Sequence, residues 1–193
     1  GQGAPMGMKL LQVTAAALLL CCASHGWAQE APSGAGSPPT EGSWAPSFRL
    51  EAYNAVPKLT EVGAIGLDAF VGVRPLHPAR LVLLVFASTS APVTIEDFPV
   101  LRRFQRRFGG RGLQVVVVAS DADTVSMAEA VSRQRLDFPV LRDRFGIVAE
   151  RWGISSPPAS FLIDRQGRIR GVSDQPVTEA EASVREAILR LLN

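Results

Sequence analysis

Arg80 to Ser88 reads R-L-V-L-L-V-F-A-S, and from Phe86 to Leu101 the chain continues F-A-S-T-S-A-P-V-T-I-E-D-F-P-V-L. The first run is apolar throughout and rich in branched residues, the pattern of a strand buried on both faces. The pattern then changes period. Phe98, Leu101, Phe104 and Phe108 recur at helical spacing, while Arg102, Arg103, Arg106 and Arg107 take the other faces. A helix is therefore expected from about Thr94 to Phe108, ended by Gly109-Gly110. Leu113 to Ala119, L-Q-V-V-V-V-A, is a second run of the buried-strand kind. The two strands should be parallel, adjacent and joined by a right-handed crossover.

Working outward, Asp123 to Arg135 reads as a helix, with Asp121 or Asp123 as its cap. Phe138 to Leu141 is a short extended piece, and Ile147 to Trp152 a short helix. Ser160–Asp164 and Arg168–Val172 form a hairpin around Arg165-Gln166-Gly167. Thr178 to Leu192 is an amphipathic helix, with Thr178 expected as N-cap and Glu181 at the third helical position. Upstream, Ser47 to Leu50 reads as an edge strand and Val62 to Val71 as a turn plus a strand. The series predicts an α/β fold: a central mixed β-sheet flanked by helices on both faces.

The N-terminal part reads differently. Residues 1–7 read as an upstream extension or expression remnant. Met8-Lys9 is a short positive start, Leu10 to Cys22 is uncharged and apolar, and Ala23 to Ala28 is a small-residue exit. Residues 8–28 are therefore expected to be a secretory signal peptide, cleaved after Ala28. The apolar run is well short of the ~20 residues of a spanning helix. A lipoprotein would use Cys21 or Cys22, but leucines and no small residue precede Cys21. Residues 29–43, rich in Pro, Gly, Ser and Ala, are expected to be a flexible linker. The folded domain is expected over 44–193, exported to the periplasm or outside the cell, with no membrane span after cleavage.

The formal charge of +2 is too small to suggest a nucleic-acid partner. The two cysteines, Cys21 and Cys22, both lie in the expected signal peptide. The mature chain would then hold no thiol, which excludes a disulfide framework, a cysteine nucleophile and a thiolate metal site. His77 is the only histidine of the expected mature chain, too few for a histidine metal site. No metal and no cofactor are expected.

Five pieces in order carry a family resemblance. Ala45 to Leu50 reads A-P-S-F-R-L, Gly66 to Gly72 reads G-L-D-A-F-V-G, and Phe86 to Leu101 holds a strand-to-helix junction with Pro99 and Leu101. Phe138 to Asp143 reads F-P-V-L-R-D. Pro158 to Asp164 reads P-A-S-F-L-I-D and is followed by Gly167-Arg168-Ile169. Together they resemble the redoxin branch of the thioredoxin superfamily, which includes peroxiredoxin-like proteins and periplasmic TlpA-like thiol-disulfide oxidoreductases. The resemblance implies a thioredoxin-like fold, a cis Pro158 in a loop facing the start of the Thr94 helix, and a Cys-x-x-Cys site at that helix start.

This chain departs from the family at that site. Aligning Pro99 and Leu101 with the family places Ala91-Pro92-Val93-Thr94 on the Cys-x-x-Cys positions. Ala91 occupies the nucleophilic position and Thr94 the resolving one. Thiolate chemistry needs sulfur at the helix N-terminus, and a threonine hydroxyl needs an adjacent base that the segment does not supply. No catalytic residue is therefore expected. Glu96 and Asp97 read as favourable charge at a helix start. The serines Ser88, Ser90, Ser155 and Ser156 read as loop and cap residues, and the arginine group as a solvated helix face. The loop Ser156-Pro157-Pro158 remains as a candidate surface for a protein or extended peptide partner. The expected function is that of a redox-inactive binding or accessory module. The alternative implied by the family, a thiol-disulfide oxidoreductase or peroxidase, is disfavoured by the missing cysteines.

Overall fold

Among the described residues, seven strands and four α-helices build the unit Ser33–Asn193. The computed structural model describes residues 36–56, 59, 63–90, 95–121 and 123–193. The strands are β1 Arg49–Glu51, β2 Ala64–Gly66, β3 Leu81–Ala87, β4 Leu113–Ala119, β5 Val140–Arg142, β6 Ala159–Asp164 and β7 Ile169–Ser173. The helices are α1 Phe98–Phe108, α2 Thr124–Gln134, α3 Ile147–Arg151 and α4 Glu181–Leu192. Strands β3 to β7 make one five-stranded sheet in the order β5-β4-β3-β6-β7, and β1 pairs with β2 in a separate ribbon. Strands β3 and β4 are parallel neighbours, Leu81 opposite Leu113 through Ala87 opposite Ala119, as expected from their apolar runs. Strand β6 lies antiparallel on the other side of β3, with Phe86 opposite Ala159.

Strand β3 divides its side chains between two cores. Leu81, Leu83, Val85 and Ala87 pack beneath α1, α2 and α4, with Phe98, Phe104, Met127 and Ile188. Val82, Leu84 and Phe86 face the other layer, built from α3 and the β1–β2 ribbon, where Trp152 packs against Phe86 and Phe161. A strand in which every side chain is buried must be apolar at every position. Each such Leu, Val or Phe contributes about 1.5–3 kcal/mol relative to exposure.

Helix α1 ends at Phe108 with Gly109 as its C-cap, at the Gly109-Gly110 pair expected from the sequence. It passes into a 3-10 turn, Gly109–Arg111, and the chain reverses at Gly112, where φ is 102°. That left-handed conformation favours glycine. Helix α4 begins at Glu181, and Thr178 is not its N-cap. Its backbone N–H is instead donated to Asp97, as is that of Val177.

The stretch expected to be a linker is corrected where it is described. The Gly36 N–H bonds Glu150 O, the Gly42 N–H bonds Ile169 O, and Ile169 returns a bond to Ser43 O. A side chain at Gly153 would collide with Gly36 O and Pro38, so this strap runs against the domain at close range. Trp44 then stacks under the Arg168 guanidinium at 4.0 Å. Residues 36–43 therefore belong to the fold. Residues 29–35, the expected signal peptide at 8–28 and residues 1–7 lie outside the described residues.

Candidate functional site

The sheet register brings two loops to one end of the molecule. Because Phe86 pairs with Ala159, the residues that leave β3 and those that enter β6 emerge side by side. Ser88 and Ser90 follow β3, and Ser155 and Pro157 precede β6. All four line one cleft of about 410 Å³, with Ser120 from the end of β4 and Ala149 and Glu150 from α3. The Pro157–Pro158 peptide bond is cis, as the family resemblance implies. Ser156 is exposed and Pro158 half-buried at the same loop. The four positions Ala91, Pro92, Val93 and Thr94 lie outside the described residues. Of the candidate loop Ser156-Pro157-Pro158, Pro157 lines the cleft.

The serines do more than fill a loop. Ser88 and Ser90 hydroxyls are hydrogen-bonded at 2.7 Å, and the Ser88 hydroxyl donates to Asp121 Oδ1 at 3.3 Å. Asp121 also accepts the Thr89 N–H. The neighbouring hydroxyl, Ser120 Oγ, donates to Asp143 Oδ2 at 3.2 Å, and the same oxygen accepts the Ala149 N–H at 2.9 Å. Two buried carboxylates thus fix the hydroxyl-lined rim and the start of α3. A buried carboxylate is retained where such donors satisfy it. No histidine, lysine or cysteine stands among the residues that line the cleft. Chemically the cleft presents serine hydroxyls and the Glu150 carboxylate as hydrogen-bonding groups.

Asp121 and Asp123 serve different segments. Asp123 is the N-cap of α2: its carboxylate accepts the Ser126 N–H at 3.0 Å and the Ser126 hydroxyl. Those hydrogen bonds hold its pKa below the ordinary carboxylate value. Asp121 instead anchors the loop after β3, 32 residues earlier, a role with no local signal. By sequence Asp97 reads as helix-start charge. It is fully buried and accepts two backbone donors, Val177 N at 3.0 Å and Thr178 N at 2.8 Å. It ties the start of α1 to the turn before α4, and nothing near it in sequence announces those partners. Nothing in the sequence around Tyr53 singles it out. Burial raises its pKa, with Arg142 opposing the shift, and its hydroxyl has no partner among the described residues.

The remaining candidates are structural. The His77 N–H bonds Ala69 O, and no cluster of metal-ligating side chains occurs among the described residues. The arginines are dispersed over separate partners: Arg102 on Gln134 O, Arg103 on Glu181, Arg106 on Asp137 and Arg111 on Asn193. No helix among the described residues is long and apolar enough to cross a membrane.

Known proteins place this geometry. Thiol-disulfide oxidoreductase ResA of Bacillus subtilis is 25% identical over 141 residues, 73% of this chain and 71% of that protein. ResA of Bacillus thuringiensis subsp. konkukian is 25% identical over 88 residues, 46% of this chain and 51% of that protein, so the match spans about half that relative's length. Among solved structures, a putative thiol:disulfide interchange protein DsbE from Chlorobium tepidum superposes with a TM-score of 0.68 at 24% identity, covering 80% of this chain and 99% of that one. A secreted disulfide oxidoreductase of Mycobacterium tuberculosis superposes with a TM-score of 0.58 at 17% identity, covering 74% and 95%. At these identities the structures establish a shared thioredoxin-like fold. The Redoxin family model matches residues 41–188, most of the chain, and with that match the protein belongs to the Redoxin family.

Proposed function

We propose that this Redoxin-family protein is exported and works without thiol chemistry, as a binding or accessory module that holds an extended peptide or protein segment in the cleft beside Pro157 and Pro158. The observation that carries the reading is the absence of sulfur nucleophiles: no cysteine occurs between Ala23 and Asn193. Disulfide exchange proceeds by thiolate attack on a disulfide sulfur, and neither Ala91 nor Thr94 has a thiolate to give. What the chain keeps is the framework around the site. The cis-proline loop and the hydroxyl-lined end of β3 share one cleft, and Asp121 and Asp143 hold its walls. Export is supported by the Met8 to Ala28 pattern and by the secreted relative.

The competing reading, a thiol-disulfide oxidoreductase, is favoured by the names of the relatives alone. Two measurements on the exported protein separate them. Thiol titration after denaturation should find none. Amide shifts on adding an unstructured peptide should map to Ser90 and Ser155 in the cleft. A titratable thiol, or shifts that avoid the cleft, would remove the basis of this proposal.

A further inference from the structure

The cleft occupies one side of α3; a second concavity of about 530 Å³ occupies the other. Its floor is apolar, with Phe48, Leu50 and Val148. On its rim two large apolar side chains stand in solvent: Phe145 is 77% exposed and Ile147 56%. Val125, 67% exposed, follows Thr124, which also lines the concavity. Exposed apolar groups so gathered mark interaction sites, whereas scattered ones need no explanation.

Four arginines line the concavity against two carboxylates, Glu51 and the buried Asp143. Arg49 pairs with Asp68 and Arg142 with Glu51. Arg144 lies over the Phe145 ring at 5.2 Å, and Arg151 bonds only the Ser47 carbonyl. Arg144 and Arg151 have no carboxylate partner among the described residues. Aromatic anchors with arginines are the composition enriched at protein interfaces.

We propose that this surface docks a protein segment that projects an apolar side chain into the concavity between flanking carboxylates. The unpaired guanidinium groups select an acidic rim on the partner. A second copy of the chain would bring Arg144 and Arg151 against their own kind. A flat bilayer would leave the concave floor unfilled. The proposal extends the partner-binding reading but uses a different face, so either can fail alone.

The test uses the exported protein and an acetylated peptide of sequence EELFEE, with QQLFQQ as its neutral counterpart. The acidic peptide should shift the amides of Arg144, Phe145 and Ile147. Its affinity should fall about tenfold or more for the neutral peptide, and likewise in an Arg144→Glu, Arg151→Glu double variant. Phe145→Ser should weaken both peptides, and these exposed positions leave the fold intact, which the unshifted amides verify. Equal affinity for the two peptides, no shifts at all, or shifts confined to Ser90 and Ser155 would overturn the proposal. So would cosedimentation with phosphatidylcholine–phosphatidylglycerol vesicles that Phe145→Ser abolishes, or a dimer that the same change dissociates.

Discussion

Replacing Asp97 by alanine should destabilise the domain more than any surface change, because two distant segments share that one carboxylate. Asp97 stands at the start of α1 with no solvent exposure, and each of its oxygens accepts one backbone N–H. Val177 is buried, so its N–H cannot turn to water when the acceptor goes. Leaving a buried donor unsatisfied costs about 1–3 kcal/mol. Thr178 is exposed and its N–H can be rehydrated, so losing that bond costs about 1 kcal/mol. The sum for Asp97→Ala is about 2–4 kcal/mol, which at a urea slope of about 2 kcal/mol/M lowers the midpoint by about 1–2 M. Asp97→Asn keeps one acceptor and turns an amide NH2 toward the other donor, so it should fall between the wild type and Asp97→Ala. Urea titration followed by circular dichroism measures the midpoints. Hydrogen exchange should place the lost protection at Val177 and Thr178. A midpoint for Asp97→Ala within ~0.3 M of the wild type, or Asn no different from the wild type, would refute the reasoning.

Three further outcomes follow from single residues. Tyr53 is the only tyrosine, so its tyrosinate absorbance reports one site; burial should push its midpoint above the ordinary value of 10.0. Because the folded pKa is the higher one, the unfolded chain ionises first, and stability should be full below pH 10.0 and decline through the alkaline window above it; a midpoint at or below the ordinary value contradicts this. Asp123 has the opposite sign: its folded pKa is depressed, so its contribution is present above the unfolded carboxylate pKa and lost as pH falls through the folded one. The protection factor of the Ser126 amide, its exchange relative to the intrinsic rate at the same pH, should then fall in acid, and in Asp123→Ala it should be low at every pH; protection unchanged in that variant would remove the cap. N-terminal sequencing of the exported protein should begin near Gln29, and a chain that retains Cys21 or Cys22 would defeat the signal-peptide reading.

The parts of the fold legible in the sequence were those set by local pattern. Strands β3 and β4 announced themselves because a strand packed on both faces leaves no position for a polar side chain. Gln114, the one polar residue of β4, is only partly buried. The β6–β7 hairpin was legible because Asp164 and Gly167 carry its turn: Asp164 Oδ1 accepts from Gln166 and Arg168, and Gly167 has φ 95°. The illegible parts depend on partners distant in sequence. Thr178 satisfies every local rule for an N-cap, yet its N–H is taken by Asp97, 81 residues away. The composition of residues 36–43 suggests a linker, yet their backbone groups bond β7 and α3, and composition carries no information on backbone pairing. Ser88, Ser120 and Ser155 are ordinary loop residues one by one. Only the register of β3 against β4 and β6 makes them neighbours.

The central claim is that a Redoxin-family framework here operates without a thiolate, and insulin disulfide reduction by the exported protein tests it most directly. With dithiothreitol as the regenerating reductant, the wild type should not exceed the rate of the reductant alone. Under the same conditions Ala91→Cys with Thr94→Cys, at the positions the family resemblance assigns to Cys-x-x-Cys, should close an internal disulfide and raise the rate above that background. Turnover by the wild-type protein, cysteine-free from Ala23 to Asn193, would contradict the account.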